Sequence, residues 1–170
     1  VVHRDIKPAN VMLDPASGQV KVTDFGIARI TDSSRTKTGV VLGTPSFMAP
    51  EQLAGQRVDG RADLYALGAM LFQLLTGELP LKGDSLSALM YQIANTVPPD
   101  LRTLRPDLPA ELATLLQVLL AKRAEDRPAS GADVAAALRR ITPIVSDSTL
   151  DQTQALRTPQ DGRITPSIPV

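Results

Sequence analysis

The sequence contains no cysteine and no tryptophan, and aromatic residues make up only 3% of its 170 residues. Without cysteine, disulfides, thiolate metal sites and thiol nucleophiles are excluded. Aliphatic side chains must therefore fill the core, and 43% of the residues are hydrophobic. Lysine and arginine balance aspartate and glutamate at 18 each, so no excess charge favours a nucleic acid or another strongly charged partner.

Long apolar segments are also missing. The best candidate, LYALGAMLFQLL at residues 64–75, has only about half of the roughly 20 residues that a membrane-spanning helix needs. We interpret it as a core helix. The polar and charged residues His3, Arg4, Asp5 and Lys7 do not suit the apolar part of a signal peptide. We therefore expect a cytoplasmic chain, or a parent protein anchored through a segment beyond the C-terminal tail.

The pattern of the remaining residues predicts an α+β fold that is mostly α. Two β-prone segments, 11–14 and 20–23, flank turn residues at 15–19, which predicts a small hairpin. Residues 24–49 are rich in serine, threonine and glycine and are expected to form a long loop. Helices are predicted after this loop at 59–77, 85–94, 109–121 and 130–141. Residues 142–170 are rich in threonine and proline, and we expect a disordered tail or linker.

The opening segment HRDIKPAN, residues 3–10, places three chemically distinct side chains close together. Asp5 offers a carboxylate that can accept a proton from a hydroxyl. Lys7 offers a mobile positive charge for a phosphate oxygen, and Asn10 offers an amide oxygen that Mg²⁺ accepts. The predicted hairpin connects Asn10 to Asp24, so we expect these two side chains to share a metal ion. A base, a cation and two metal ligands meet the requirements of phosphoryl transfer.

Three motifs in this order resemble those of the eukaryotic-type protein kinases. HRDIKPAN resembles the catalytic loop, DFG at 24–26 resembles the metal-binding triplet, and APE at 49–51 resembles the end of the activation segment. Each motif alone is weak, but the ordered set is a strong signal. The resemblance covers residues 1–141 and implies a partial kinase domain. The expected fold is the C-terminal lobe, with a short β-hairpin, an activation loop and a helical bundle, without the N-terminal lobe.

The resemblance implies roles for the residues of the opening segment. Asp5 is expected to be the catalytic base, and Lys7 is expected to support the γ-phosphate of ATP. Asn10 and Asp24 are expected to hold Mg²⁺, which Mn²⁺ could replace, and Thr44 is expected to bridge Asp5 and Lys7. The lysine at position 7 and the GTPSFMAPE segment are similar to serine/threonine kinases, and the longer GVVLGTPSFMAPEQ is similar to their bacterial branch.

Four further positions are matched to the family. Met12 falls where the family places an apolar side chain under the adenine, although core packing explains it about as well. Asp63 is expected to hold the catalytic-loop backbone, although alone it would be an ordinary acid in the first turn of a helix. Glu51 and Arg127 resemble the pair that ties the activation segment to the later helices.

Regulation by phosphorylation is also implied by the resemblance. Arg4 is expected to pair with a phosphate on the activation loop. Thr36 and Thr38 are the expected phosphate acceptors, with Ser33 and Ser34 as competitors, because a phosphate can order such a loop against an arginine. The alternative is that both threonines are only loop residues.

The elements of the N-terminal lobe with which kinases hold ATP are not found in the sequence. It contains no G-x-G-x-x-G motif, and Lys21 and Lys37 are misplaced for the strand lysine. Because the chain starts at Val1, we expect a fragment whose parent supplies the N-terminal lobe. Two functions stay open: part of an active serine/threonine kinase that uses ATP and protein substrates, or a catalytically inactive truncated kinase that acts as a protein-binding module or relic.

Overall fold

A computed structural model describes residues 1–24 and 45–142 of the chain. Within these ranges, a two-stranded sheet is followed by six α-helices. The strands are β1 (Val11–Leu13) and β2 (Val20–Val22), and the helices are α1 (Pro50–Leu53), α2 (Gly60–Thr76), α3 (Leu86–Asn95), α4 (Leu101–Leu104), α5 (Ala110–Leu119) and α6 (131–142). Short 3₁₀ turns lie at Pro8–Asn10, Pro45–Phe47 and Ala124–Asp126. The prediction of a mostly helical chain with a small β-hairpin is confirmed.

The hairpin is antiparallel, and Val11 pairs with Val22 at its open end. Its turn is organised by Asp14, whose carboxylate accepts a hydrogen bond from Ser17 Oγ at 2.5 Å. This bond is the main reason that the pKa of Asp14 lies below its usual value. Gly18 has φ +69°, a left-handed conformation that glycine adopts without a steric penalty. The hairpin thus returns the chain to the residues that precede β1.

Helix α2 lies at the centre of the core. Asp59 caps its N-terminus by accepting a hydrogen bond from Arg61 N at 2.9 Å, and Gly77 ends it with φ +76°. Both ends agree with the prediction. Its buried residues lie on most sides of the helix: Ala62, Leu64, Tyr65, Ala66, Gly68, Ala69, Met70 and Phe72.

Helices α2 and α5 pack closely at a glycine. A Cβ added at Gly68 would lie 2.8 Å from Leu119 Cβ, well inside the roughly 3.5–4.0 Å at which carbon atoms pack favourably. Phe72 and Leu116, 1% and 2% exposed, belong to the same core. The missing side chain at position 68 therefore sets how closely these helices approach.

Polar caps fix where the other helices begin. Ser85 Oγ accepts a hydrogen bond from Ala88 N at the start of α3. At the start of α6, Ser130 N donates to Asp133 Oδ2 at 3.0 Å while Asp133 N donates to Ser130 Oγ at 3.3 Å, which is a reciprocal capping arrangement. These bonds fix the start of the helix that the sequence predicts at 130–141. Helices α1 and α4 were not predicted, because four residues are too few to show a helical period.

Several predictions concern residues outside the described ranges. Thr36, Thr38 and Thr44 lie among residues 25–44, and the predicted tail lies almost entirely among residues 143–170. Thr142, the first residue assigned to that tail, is helical and belongs to α6. In the part of the chain that the structure describes, no helix combines the length and the apolar character needed to cross a membrane.

Candidate active site

Helix α2 anchors the opening segment through the carboxylate of Asp63. Its Oδ2 accepts a hydrogen bond from His3 N, and its Oδ1 accepts one from Arg4 N, both at 2.7 Å. Arg4 has φ +69°, a conformation that costs a residue with a Cβ about 1–3 kcal/mol. Two charge-assisted bonds to one carboxylate stabilise this backbone shape. Asp63 therefore lies where it can fix the residues next to Asp5.

His3 connects the opening segment to the hairpin. It is 5% exposed, and its Nε2 lies 2.9 Å from Thr23 O. Asp5 N donates to its Nδ1 at 3.3 Å. This pattern fits a neutral imidazole that carries its proton on Nε2 and donates it to Thr23 O. One buried ring thereby fixes the backbone of Asp5 and the backbone just before Asp24.

Two side chains converge on the carboxylate of Asp5. Lys7 Nζ donates to its Oδ2 at 2.8 Å, and Asn10 Nδ2 donates to the same oxygen at 2.9 Å. Asn10 Nδ2 also donates to Asp5 O at 2.8 Å. These bonds leave Asp5 Oδ1 without a hydrogen-bond partner among the described residues. The Asp5 side chain as a whole is 42% exposed.

Asn10 and Asp24 offer oxygen atoms that fit a metal ion. Asn10 is 5% exposed and uses its Nδ2 for Asp5, so its Oδ1 is the amide atom left for a cation. Thr23 N donates to Asn10 O at 2.9 Å, which places Asp24 one residue from this contact. Asp24 has φ +55°, and within the described ranges its carboxylate forms no ion pair or hydrogen bond.

The donor set suits magnesium held together with phosphate. Mg²⁺ takes one or two protein oxygens and completes its octahedral shell with water and phosphate oxygens. The described residues include no group of three or more histidine, aspartate or glutamate side chains that could hold a metal. The Asn10 amide oxygen and the Asp24 carboxylate are oxygen donors of the kind that Mg²⁺ accepts.

A buried ion pair fixes α1. Arg127 Nη1 and Nη2 donate to Glu51 Oε1 and Oε2 at 2.7 and 2.9 Å, and the two side chains are 0% and 11% exposed. The guanidinium lies 5.0 Å from the ring centre of Tyr65, and burial raises the pKa of this tyrosine to about 12. The Arg127 guanidinium also donates to the backbone carbonyls of Arg61, Ala121 and Lys122. The pair predicted from the sequence is thus in direct contact.

Sequence analysis missed Gln52. Its side chain is buried, accepts a hydrogen bond from Ala49 N at 3.1 Å and donates one to Arg4 O at 3.1 Å. It therefore joins α1 to the residue before Asp5. The partner atom belongs to the backbone and lies 48 residues away in sequence, so no local pattern could have revealed the contact.

Met12 and Arg4 both present side chains toward solvent. Met12, on β1, is 62% exposed, so it does not pack in the core that the described residues form. Arg4 is exposed as well, although its backbone is held by Asp63. Both side chains are accessible to groups outside the described residues.

Comparison with known proteins matches residues 1–138 to the family described as the protein kinase domain. The DNA damage-responsive serine/threonine-protein kinase RqkA of Deinococcus radiodurans is 47% identical over 137 residues, which are 79% of this chain and 20% of that protein. The serine/threonine-protein kinase Pkn1 of Myxococcus xanthus is 46% identical over 135 residues, which are 76% of this chain and 20% of that protein. The serine/threonine-protein kinase PknB of Mycobacterium tuberculosis is 44% identical over 146 residues, which are 83% of this chain and 23% of that protein.

The chain spans about a fifth of the length of these curated relatives. The matched residues include the whole opening segment, the hairpin and helices α1 to α5. The family match covers most of the chain, and the relatives are bacterial kinases that act on serine and threonine by name. The chain therefore belongs to the protein kinase domain family and is similar to its bacterial serine/threonine branch.

Proposed function

We propose that this chain is the C-terminal lobe of a serine/threonine kinase, which transfers the γ-phosphate of ATP to serine and threonine hydroxyls of proteins. The observation that carries the proposal is the convergence of Lys7 and Asn10 on the Asp5 carboxylate. The names of the curated relatives support this activity. Because the chain spans about a fifth of their length, a longer protein is proposed to supply the N-terminal lobe.

Asp5 is the proposed base. Lys7 and Asn10 hold its Oδ2, so the carboxylate is oriented and its Oδ1 can accept the proton of a substrate hydroxyl. The hydroxyl oxygen then bonds to the γ-phosphorus while the bond from that phosphorus to the bridging oxygen of ADP breaks. Lys7 Nζ, with its side chain 34% exposed, can also support the charge of the transferred phosphoryl group.

Asn10 Oδ1 and the Asp24 carboxylate are the proposed ligands of Mg²⁺, or of Mn²⁺ in its place. A bound ion would neutralise charge on the phosphates. Met12 is proposed to lie under the adenine, and its 62% exposure makes it available for that contact. Thr44 is proposed to bridge Asp5 and Lys7. The use of ATP favours a cytoplasmic location for this site.

Phosphorylation is proposed to regulate the site. Thr36 and Thr38 are the proposed acceptors, and Arg4 is the proposed partner of the phosphate. The exposed side chain of Arg4 supports this role, because a guanidinium binds phosphate oxygens through two parallel hydrogen bonds. Phosphopeptide mapping of the active protein tests it, and full activity without phosphate on either threonine would contradict it.

The experiment that tests the function is phosphate transfer by Asp5→Asn in the longer protein. Transfer from radiolabelled ATP to serine and threonine peptides should fall by about 100-fold or more, with nucleotide binding retained. Asp84→Asn, the same change at an exposed position on the described surface, is the matched control and should transfer at the wild-type rate. Undiminished transfer by Asp5→Asn would refute Asp5 as the base. A wild-type protein that transfers no phosphate would favour the inactive binding module.

A further inference from the structure

The peptide bond that joins Arg4 to Asp5 is held at both of its polar atoms. Its carbonyl oxygen accepts a hydrogen bond from Gln52 Nε2 at 3.1 Å. Its N–H donates to His3 Nδ1 at 3.3 Å. The preceding N–H, that of Arg4, donates to Asp63 at 2.7 Å. The backbone leading into Asp5 is therefore fixed by three side chains from different parts of the chain.

Gln52, unlike His3 and Asp63, belongs to α1. It is 8% exposed, and its Oε1 accepts from Ala49 N at 3.1 Å, so both ends of its amide are bonded. It lies in α1, which has only four residues and depends on tertiary contacts for its position. Its neighbour Glu51 supplies such a contact through the buried pair with Arg127.

We propose that Gln52 is a positioning residue for phosphoryl transfer. It fixes the plane of the Arg4–Asp5 peptide and so directs the Asp5 carboxylate toward its hydroxyl substrate. The inference rests on the proposed function, in which Asp5 is the base. Gln52 acts through the Arg4 carbonyl and couples the position of α1 to the reacting carboxylate.

The geometry explains why an amide suits this position. Ala49 N needs an acceptor and Arg4 O needs a donor, and a glutamine side chain supplies one of each. Glutamate would keep the acceptor but place a second oxygen against Arg4 O. Methionine has a similar length, but its thioether is only a weak acceptor for Ala49 N and offers no donor to Arg4 O. Either change removes the side-chain donor to the Arg4 carbonyl, which sits in a left-handed backbone.

Gln52→Glu and Gln52→Met in the longer protein test the role. Gln56→Glu is the matched control, since Gln56 lies just beyond α1, is exposed and uses no side-chain hydrogen bond within the described ranges. The measurements are kcat, KM for ATP, KM for a serine/threonine peptide, and the thermal unfolding midpoint of each variant. Dividing kcat by the folded fraction separates positioning from stability.

Both Gln52 variants should lose between about tenfold and 100-fold in kcat per folded molecule, because small misplacements of a reacting group have effects of this size. Both KM values should stay within about twofold of wild type, and Gln56→Glu should be unchanged. Wild-type kcat in either Gln52 variant, or a loss that only follows the folded fraction, would overturn the role of Gln52. A wild-type protein without transfer would instead overturn the proposed function, and this inference with it.

Discussion

Replacing Glu51 with glutamine should destabilise the chain far more than the same replacement at the surface. Glu51 is the carboxylate partner of Arg127, whose side chain is 0% exposed. Glutamine keeps one oxygen for the guanidinium but removes the negative charge, which leaves a buried cation without a counter-ion. Removing one partner of a buried pair costs about 3–5 kcal/mol. Since Arg127 keeps its backbone carbonyl partners, we expect about 3 kcal/mol.

Urea unfolding of the 170-residue chain, followed by circular dichroism, measures this loss. With an m-value of about 2 kcal/mol per molar urea, the midpoint should fall by about 1.5 M. Glu78→Gln is the matched control, because the Lys82–Glu78 pair leaves its side chains 60% and 53% exposed and such pairs contribute about 0–1 kcal/mol. Equal losses for the two variants would refute the conclusion that the Glu51–Arg127 pair holds α1 in place.

Three further predictions address packing, titration and the anchoring of the opening segment. Gly68→Ala should cost about 1–3 kcal/mol in urea unfolding because its Cβ would meet Leu119, whereas Gly60→Ala, with nothing within 4 Å, should not destabilise; equal effects would contradict the close helix contact. Burial, with the nearby charge of Arg127, lowers the pKa of Lys122 from 10.5 to about 8, so the unfolded chain binds more protons above pH 8. The free energy of unfolding should therefore gain a rising component between pH 8 and 10 that Lys122→Met removes, and an unchanged pH profile would contradict the shift. Asp63→Asn should lower phosphate transfer by the longer protein at least about tenfold because one backbone bond is lost, and wild-type transfer would contradict this.

The regular elements could be predicted because their signals are local. Two β-prone segments and the turn residues between them indicate the hairpin, and helix α2 is flanked by Asp59 and Gly77, which the sequence identifies as its ends. Helix α4 shows the limit of this approach. Its Asp100 cap is a local signal, but four residues do not complete enough turns to show an apolar period, so α4 was missed.

The candidate site was predictable in composition but not in geometry. Asp5, Lys7 and Asn10 are close in sequence, so their meeting follows from a short loop. The positive φ value of Arg4 could not be predicted, because Arg4 is not a glycine and the hydrogen bond from its N–H to Asp63, rather than intrinsic preference, stabilises this conformation.

The contact of Gln52 with the Arg4 carbonyl was unpredictable for a different reason. It joins a side chain to a backbone atom across 48 residues, and any residue at position 4 would offer the same carbonyl. Only the three-dimensional arrangement of α1 against the opening segment reveals it. The chemistry of the site is therefore encoded locally, and the support of its geometry is encoded at a distance.

The central claim is that Asp5, Asn10 and Asp24 together form a site for metal-assisted phosphoryl transfer. Its most direct test is the anomalous scattering of manganese in crystals of the longer protein with Mn²⁺ and a non-hydrolysable ATP analogue. The account predicts a manganese peak about 2.1 Å from Asn10 Oδ1 and from an Asp24 carboxylate oxygen, with Asp5 Oδ1 facing the open side of the γ-phosphate. A manganese ion beside the phosphates that contacts neither Asn10 nor Asp24 would contradict it.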